Sequence, residues 1–479
     1  MAIMKPRLLI LLKNLGRIHS MDDVSHVIEG GYCIGCGVCP FVDSSLTIRM
    51  DDDGRYQAVE LSQTHDAESS KVCPFANSLY NEDVIGKTLF GDVDGIQHDD
   101  ALGYYLHTYV GYAKAGDFRD RGSSGGLVNW VAAKLLETGK VDAIIHAKAS
   151  DDPGVMYSYQ VSHSIEELEQ GAKSKYYPIE LSHVLEYVKK HDERYAVVGI
   201  PCFIKALRML EHEDPLVKER IKYHLGLVCG HLKSSFFGLS EAWESGIRPE
   251  NVKLVDFRHK IPGRASSDYG IKAVGTDESG NPVEVIKPTR ELSTTNWGYG
   301  YFKYNACEYC DDVLAETADV TCGDAWLPDY VKDGKGTNVI VVRNPEIQAL
   351  FDKYYNEVSL EAVPPQIVVK SQNSGIRHRR EGLKYRLYLK DQAHEWRPTK
   401  RVQASNNIPE RRKRVYEGRI RLMDESFIAY HKALDSEQGM SAFVEHMQPI
   451  LKEYKKADMP PLWKRAIRKF KREIKKLIR

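Results

Sequence analysis

The chain has 479 residues, enough for two to four domains, and is 42% hydrophobic and 28% charged, as soluble globular proteins are. Lys plus Arg and Asp plus Glu are equal at 67 each, so the charge balance gives no reason to expect a nucleic acid partner. No apolar run approaches the ~18 residues of a membrane-spanning helix, and LLILL at 8–12 is too short for a signal peptide. These features predict a cytoplasmic protein.

Cysteine is the residue type that carries most of the information. The nine cysteines are Cys33, Cys36, Cys39, Cys73, Cys202, Cys229, Cys307, Cys310 and Cys322. An odd number in a long chain without a signal peptide argues against a disulfide framework. Because several cysteines are tightly clustered, inert core thiols are also a poor explanation.

Residues 25–80 form the first predicted domain, a small ferredoxin-like module. The stretch GYCIGCGVCP places Cys33, Cys36 and Cys39 at two-residue gaps, and a later Cys-Pro supplies Cys73. Bacterial ferredoxins hold a 4Fe–4S cluster with such a run. Four-cysteine zinc sites also use C-x2-C pairs, so zinc is the main alternative, ahead of plain buried thiols.

An α/β core is predicted from about 105 to 345, where strand and helix patterns alternate. Apolar runs predict strands at 141–149 and 194–200, and periodic runs predict helices at 127–139 and 203–213. The fold class is therefore an α/β core with an N-terminal ferredoxin-like iron–sulfur module and a C-terminal helical extension.

A glycine- and serine-rich turn, RDRGSSGGLVNW at 119–130, precedes the first helix of this core. Free N–H groups at such a turn can hold a phosphate or the anionic edge of a flavin. The turn matches neither the Walker pattern nor the dinucleotide G-x-G-x-x-G. The alternative is a plain helix cap by Ser123 or Ser124.

Two basic stretches could also meet a cofactor. In GAKSKYYP, Lys175 could face a flavin carbonyl or phosphate with Tyr176 beside it, or it could be a solvated loop lysine. In DFRHK, Arg258 and Lys260 could meet a cofactor phosphate or an acidic substrate, with a solvated face as the equal alternative.

A second set of cysteines follows apolar runs of the core. Cys202 follows a predicted strand and starts a helix, Cys229 follows another apolar run, and CEYC supplies Cys307 and Cys310. Because the carboxyl ends of strands in one α/β sheet meet at one edge, these four thiols could form a second site. Cys322 is the competing fourth ligand, and packing is the alternative for each isolated cysteine.

In this order the motifs resemble the family of coenzyme F420 hydrogenase/dehydrogenase beta subunits. The resemblance covers roughly residues 30–345. The segments that carry it are CIGCGVCP, RGSSGGL, KSKYY, GIPCFIKALR, LVCGHLKS, FRHK and CEYCDDVLAETADVTCGDAW. The family implies N- and C-terminal beta-subunit domains, here 100–190 and 191–345.

The resemblance implies FAD and 4Fe–4S clusters, one in the N-terminal module and an expected second in the core. The second set of four cysteines matches family positions, whereas an aliphatic residue usually stands where Cys322 does. Positions that match the flavin-proximal stretches and a basic pair of the family are Ser123, Ser124, Gly125, Gly126, Ser174, Lys175, Tyr176, Arg258 and Lys260. Lys175 and Tyr176 are the candidate catalytic residues.

The implied function is a flavin-dependent iron–sulfur oxidoreductase. Its electron partner would be ferredoxin, another redox protein or reduced coenzyme F420, and its substrate an unidentified small molecule. An electron-input subunit of a larger complex is one alternative. A non-catalytic protein with structural zinc sites is another, from a different class of function.

The segment 370–479 departs from short beta subunits and has helical spacing. At 463–479 it holds nine Lys or Arg residues and one Glu. Apolar residues recur there at three- and four-residue steps: Trp463, Ala466, Ile467, Phe470, Ile474, Leu477 and Ile478. Such an amphipathic helix can lie on an anionic membrane surface, which would place the protein at the inner face of the membrane. Docking on the protein's own core or on a partner is the equal alternative.

Deletion of 463–479 should abolish co-sedimentation with anionic liposomes, because both the cations and the apolar face are removed. Neutral liposomes are the control and should bind neither form. Full-length protein that stays in the supernatant with anionic liposomes at low salt would dispose of the membrane interpretation.

Overall fold

The computed structural model describes residues 21–62 and 67–459, so the segments at 8–12 and 463–479 lie outside the described residues. Within the described ranges, no helix is both long and apolar enough to cross a lipid bilayer. The chain divides into two compact units. The first holds Met1–Thr295 and Phe302–Ser405, and the second holds Asn296–Tyr301 and Asn406–Arg479.

The N-terminal part of the first unit consists of short helices around one hairpin. Its elements are α1 (Val24–Glu29), α2 (Cys39–Val42), β1 (Leu46–Met50), β2 (Tyr56–Glu60), α3 (Ala67–Val72) and α4 (Glu82–Phe90). Strands β1 and β2 pair antiparallel, with Leu46 opposite Glu60. These residues belong to the same compact unit as the α/β core, and the ferredoxin-like character of the segment stays a prediction.

The α/β core follows in chain order. Its first half comprises β3 (Gln97–Asp99), β4 (Gly103–Tyr105), β5 (His107–Ala113), α5 (Phe118–Arg121), α6 (Leu127–Glu137), β6 (Ala143–Ala149), β7 (Tyr157–Ser162), α7 (Ile165–Gln170), α8 (Ser182–Lys190), β8 (Tyr195–Gly199), α9 (Pro201–Glu213), α10 (Pro215–Arg220), β9 (Ile221–Leu227) and α11 (Ser235–Glu244). Its second half comprises β10 (Val252–His259), β11 (Gly270–Thr276), β12 (Pro282–Pro288), β13 (Val320–Asp324), β14 (Asn338–Val342), α12 (Pro345–Lys353), β15 (Val358–Ala362) and α13 (Pro365–Arg377). A π-helical segment (His378–Gly382) then leads into α14 (Leu383–Gln392).

One eight-stranded mixed sheet organises this core, in the order β15-β5-β14-β13-β9-β8-β6-β7. The four central strands β13, β9, β8 and β6 are parallel, and the remaining pairings are antiparallel. Parallel strands are covered by helices on both faces, and most residues of β6 and β8 are accordingly buried. The predicted strands and helices between 127 and 213 are all present, and the mixed α/β class is confirmed.

The second half of the segment that joins β12 to β13 is unusual because it is buried although it contains no strand. Every residue from Ala306 to Cys322 is buried. We call Ala306–Asp319 the cysteine loop, since it carries Cys307 and Cys310. It also carries five carboxylates with at most 4% exposure: Glu308, Asp311, Asp312, Glu316 and Asp319.

Arginines from distant segments compensate the charges of the cysteine loop. Arg386 on α14 pairs with Glu308 at 2.8 Å, and Arg208 on α9 pairs with Asp319 at 2.9 Å. Asp312 instead accepts backbone N–H groups of its own loop, at 2.8 and 2.9 Å. An ion removed from water costs several kcal/mol unless it is paired, so these contacts hold the loop in place.

Arg401 makes the largest set of such contacts. Its guanidinium lies 2.7 Å from Glu316, 3.3 Å from Asp311 and 3.5 Å from Glu82 at the start of α4. Lys205 on α9 pairs with the same Glu82 at 3.2 Å. The N-terminal part, the cysteine loop and the segment after α14 are therefore joined through buried charge.

The second unit contains a pair of long helices, α15 (Glu410–Leu434) and α16 (Met440–Asp458). Arg411 pairs with Asp458 and Arg421 with Glu453, so the start of one helix lies beside the end of the other. The two helices are antiparallel, and helical structure after residue 370 is as predicted.

Replacement of Arg401 by Met should lower the free energy of unfolding by about 3–5 kcal/mol, because it leaves buried carboxylates unpaired. Urea denaturation followed by fluorescence and circular dichroism measures this loss. Arg411→Met is the matched control: its partner Asp458 is 44% exposed, so the loss there should stay within about 1 kcal/mol. Equal losses in the two variants would contradict the role given to Arg401.

Candidate functional site

The first cysteine set gathers around the loop between α1 and α2. Cys33 and Cys36 lie on that loop, Cys39 begins α2, and Cys73 directly follows α3. The pKa of the Cys39 thiol is raised by burial and then by the nearby charges of the other three cysteines. The structure therefore brings all four of these side chains together.

Backbone donors face the sulfur of Cys33. The N–H groups of Gly35 and Ala58 donate to its Sγ at 3.3 Å each. Burial raises the pKa of this thiol to about 11, and these two donors oppose the rise. Gly35 has φ of +61°, and a Cβ there would lie 2.2 Å from the carbonyl oxygen of Tyr56. Glycine at this position lets the loop backbone pass close to that of Tyr56.

The second cysteine set lines one small cavity. Cys202 is the second residue of α9 and Cys229 follows β9, at the carboxyl edge of the parallel strands. Cys307 and Cys310 come from the cysteine loop, and the cavity lies among all four thiols. The other lining residues are Ile34, Phe75, Pro201, Leu232, Ala306 and Arg379.

Two groups donate to sulfurs in this cavity. The Leu232 N–H donates to Cys307 Sγ at 3.2 Å, and Arg379 Nη1 donates to Cys310 Sγ at 2.9 Å. Burial raises the pKa of Cys229 to about 12, and the Arg379 guanidinium opposes that rise. Sequence reasoning missed Arg379, which lies in the basic run IRHRREG, a pattern that is usually a solvated face.

Cys322 is not part of this cavity. It lies within β13, opposite Ile340 on β14 and Leu227 on β9. It packs into an apolar cluster with neighbours such as Val320, and burial is the sole cause of its raised pKa. The structure therefore places Cys322 as a core thiol and Cys229 beside the other three.

The donor set of the second cavity fits an iron–sulfur cluster. All of its ligand-type groups are thiols, the set that holds a 4Fe–4S cluster. Four thiolates also hold zinc in structural sites, so the donor set alone is compatible with either metal. Across residues 21–62 and 67–459, no three His, Cys, Asp or Glu side chains are gathered closely enough for one ion. The support for a metal cluster at the second site therefore comes from the cavity and the four thiols that line it.

The residues predicted to contact flavin meet in a second region of the same unit. Ser123 Oγ accepts the Ser174 N–H at 2.8 Å, which joins the glycine turn to the SKY loop. Arg258 is 2% exposed, and its guanidinium pairs with Asp324 through two contacts of 3.0 Å. Arg258 also donates to the Tyr176 hydroxyl at 3.3 Å. For Arg258, the alternative of a solvated face is wrong.

The glycine turn itself is packed tightly. Gly126 has φ of +78°, and a Cβ there would lie 2.4 Å from the carbonyl of Phe118, so glycine is required by the turn. Ser124 Oγ donates to the carbonyl of Thr337 at 3.0 Å instead of capping α6. Lys260 Nζ lies 3.5 Å from the Ser124 carbonyl oxygen. Gly125 completes the turn.

Lys175 faces its own loop. Its Nζ donates to the carbonyl oxygens of Gly171, Ala172 and Lys173, the last two at 2.7 and 2.9 Å. Desolvation lowers the pKa of Lys175 to about 7, and Asp256 opposes the change. Lys175 is half-buried and its pKa is lowered. Its catalytic role stays a prediction.

Three residues beside Arg258 were missed as site residues. The Arg258 guanidinium carbon lies 4.3 Å from the Tyr269 ring centre and 5.4 Å from that of Trp326, which is 38% exposed. Asp324 and Trp326 belong to the motif CGDAW, so a signal for them existed. Arg258 Nε is buried without a hydrogen-bond partner among the described residues, as an arginine that meets an anionic ligand oxygen would be.

Comparison with known proteins identifies the core. Residues 108–186 match the family model described as coenzyme F420 hydrogenase/dehydrogenase, beta subunit N-term, and residues 192–367 match that for its C terminus. Together these matches cover more than half of the chain. The second cysteine set and Arg258 lie inside them, whereas the first cysteine set and Arg379 lie outside.

Curated relatives come from methanogens. The coenzyme F420-dependent sulfite reductase of Methanocaldococcus jannaschii is 24% identical over 76% of this chain, which spans only 53% of that protein. A subunit of the F(420)H(2) dehydrogenase of Methanosarcina mazei is 24% identical over 71% of this chain and 87% of its own length. A chain of the F420-reducing NiFe hydrogenase complex from Methanosarcina barkeri aligns with a TM-score of 0.44 and 18% identity, over 59% of this chain and 92% of that one. The chain belongs to the family of coenzyme F420 hydrogenase/dehydrogenase beta subunits, as the order of its motifs predicts.

Proposed function

We propose that this protein is an oxidoreductase that moves electrons through two four-cysteine iron–sulfur sites and a bound FAD. The observation that carries the proposal is the second cavity, where thiols from three separate segments surround a common space. Membership of a redox family supports the same class of activity. The names of both curated relatives also describe coenzyme F420-linked redox proteins.

Each proposed cluster has its own ligand set. Cys33, Cys36, Cys39 and Cys73 would hold the first, and Cys202, Cys229, Cys307 and Cys310 the second. When bound, the clusters carry single electrons and a flavin exchanges one-electron for two-electron chemistry. Ile34, Phe75, Leu232 and Ala306 give the second site apolar walls.

The flavin would be held by the region around Arg258. Arg258 and Lys260 supply positive charge for an anionic group. The glycine turn beside them is formed by Ser123, Ser124, Gly125 and Gly126, and Ser174 of the SKY loop contacts it. Tyr176 fixes the Arg258 guanidinium through its hydroxyl. The Nζ of Lys175, with its pKa lowered to about 7, can hold or release a proton near neutral pH, which suits a general acid or base.

The electron partner proposed is reduced coenzyme F420 or ferredoxin, and the substrate is a small molecule of unidentified class. The sequence contains no dinucleotide G-x-G-x-x-G motif, which disfavours nicotinamide donors. A second candidate is an electron-input subunit without a substrate of its own. Its support is the Methanosarcina mazei relative, one subunit of a dehydrogenase, which this chain matches over 87% of its length.

Anaerobically purified protein should be brown and contain iron, acid-labile sulfide and flavin. Cys36→Ala and Cys202→Ser should each remove about one cluster's worth of iron, because loss of one thiolate opens the site. Cys322→Ser is the matched control and should keep the wild-type iron content. Zinc in place of iron after anaerobic reconstitution, with no flavin, would identify the structural zinc alternative instead.

Reduced coenzyme F420 or reduced ferredoxin should bleach the flavin absorbance much faster than NADH or NADPH does. The stopped-flow rates of flavin bleaching measure the difference under anaerobic conditions. Rapid bleaching by NADH together with inert ferredoxin and coenzyme F420 would show a nicotinamide-linked reductase and overturn the donor assignment.

A further inference from the structure

Arg379 is buried against the sulfurs of the second cysteine set. Its side chain is 2% exposed. Nη1 donates to Cys310 Sγ at 2.9 Å and to the Asp312 carbonyl oxygen at 2.6 Å. Nη2 lies 3.9 Å from Cys229 Sγ and donates to the Gly230 carbonyl oxygen. The Arg379 guanidinium therefore lies between Cys229, which follows a strand, and Cys310 on the cysteine loop.

The acceptors of Arg379 distinguish it from the other buried arginines nearby. All four that the structure gives it are sulfur or backbone carbonyl oxygen. Arg380, the next residue, pairs with Glu316 at 3.1 Å, and Arg386 pairs with Glu308 at 2.8 Å. The negative charge that balances Arg379 must then come from the thiolates, once these are ionised.

The backbone at Arg379 is also irregular. The residue lies on the π-helical segment His378–Gly382, between α13 and α14. A π-turn adds a residue to the helix and changes the direction of the side chains on it, and such turns occur mainly at functional sites. The consecutive residues Arg379 and Arg380 on this segment contact different partners, a sulfur and a carboxylate.

We propose that Arg379 is a positioning residue that raises the reduction potential of the second cysteine site through its charged contacts to Cys310 and Cys229. The inference rests on the proposed function. Adding one electron makes the site more negative by one charge, and a fixed cation and hydrogen bonds to its sulfurs stabilise that state. Arg379 lies after the segments that match the family models, in the predicted C-terminal extension.

The test is a potentiometric titration of the anaerobic holoprotein, with dithionite as the reductant and electron paramagnetic resonance as the readout. In Arg379→Met the reduced-to-oxidised ratio of the second site should fall about tenfold at a fixed potential, equivalent to about 59 mV for one electron. Arg379→Lys keeps the positive charge but loses the two-pronged contacts of the guanidinium. The reduction potential of the second site should therefore fall in this variant too, but by less than in Arg379→Met. The first site serves as the internal reference and should not move.

Arg343→Met is the matched control. Arg343 is fully buried too, but it donates to the carbonyl oxygens of Ala318, Leu102 and Leu314 and to the Thr321 hydroxyl, without a sulfur. Neither potential should change in this variant.

The potentials and iron contents of the Arg379 variants decide whether the proposal holds. Wild-type potentials in Arg379→Met, with iron intact at both sites, would overturn the proposal. If that variant lacks iron at the second site, Arg379→Lys decides: a potential equal to the wild type overturns the proposal. Wild-type protein without any iron–sulfur signal would instead refute the proposed function.

Discussion

Five carboxylates buried in one irregular loop are the constraint on which the rest of the structure depends. The cysteine loop cannot rely on strand pairing to hold its shape, and each of its ions would cost several kcal/mol if left unpaired. Its partners arrive from far along the chain: Arg208 from α9, Arg386 from α14 and Arg401 from the segment beyond. Those segments must pack around the loop for the charges to be balanced.

The ion pairs of the buried carboxylates also fix the position of the second cysteine set. Cys307 and Cys310 lie on the loop, so the ion pairs that hold Glu308 and Asp311 also fix the positions of the two sulfurs. The parallel strands supply the other half, because Cys202 lies just beyond the end of β8. The site is thus built between a rigid sheet edge and a loop held by electrostatics, and both sides resist displacement.

Local pattern was enough to predict part of this arrangement. The apolar runs before Cys202 and Cys229 indicate parallel strands, and the carboxyl ends of such strands meet at one edge, so the grouping of these two cysteines could be anticipated. The C-x2-C spacing likewise limits where Cys307 and Cys310 can point. The first cysteine set is predicted from the spacing of Cys33, Cys36 and Cys39 and from the proline after Cys73. Contacts between distant segments could not be predicted in this way. Arg379 and Arg401 lie in basic, polar sequence that is usually solvated, and their burial depends on carboxylates and thiols far away along the chain.

The topology of the sheet also determines when each part of the core can form during synthesis. Among the described residues, strand β5, near the start of the core, pairs only with β14 and β15, so the eight-stranded sheet cannot close until both have been synthesised. Cys73 precedes Arg379 by roughly 300 residues, which takes ~15–60 s at about 5–20 residues per second. The first cysteine set therefore leaves the ribosome well before the second cavity has all of its walls, so the two cysteine sets take shape at different times during synthesis.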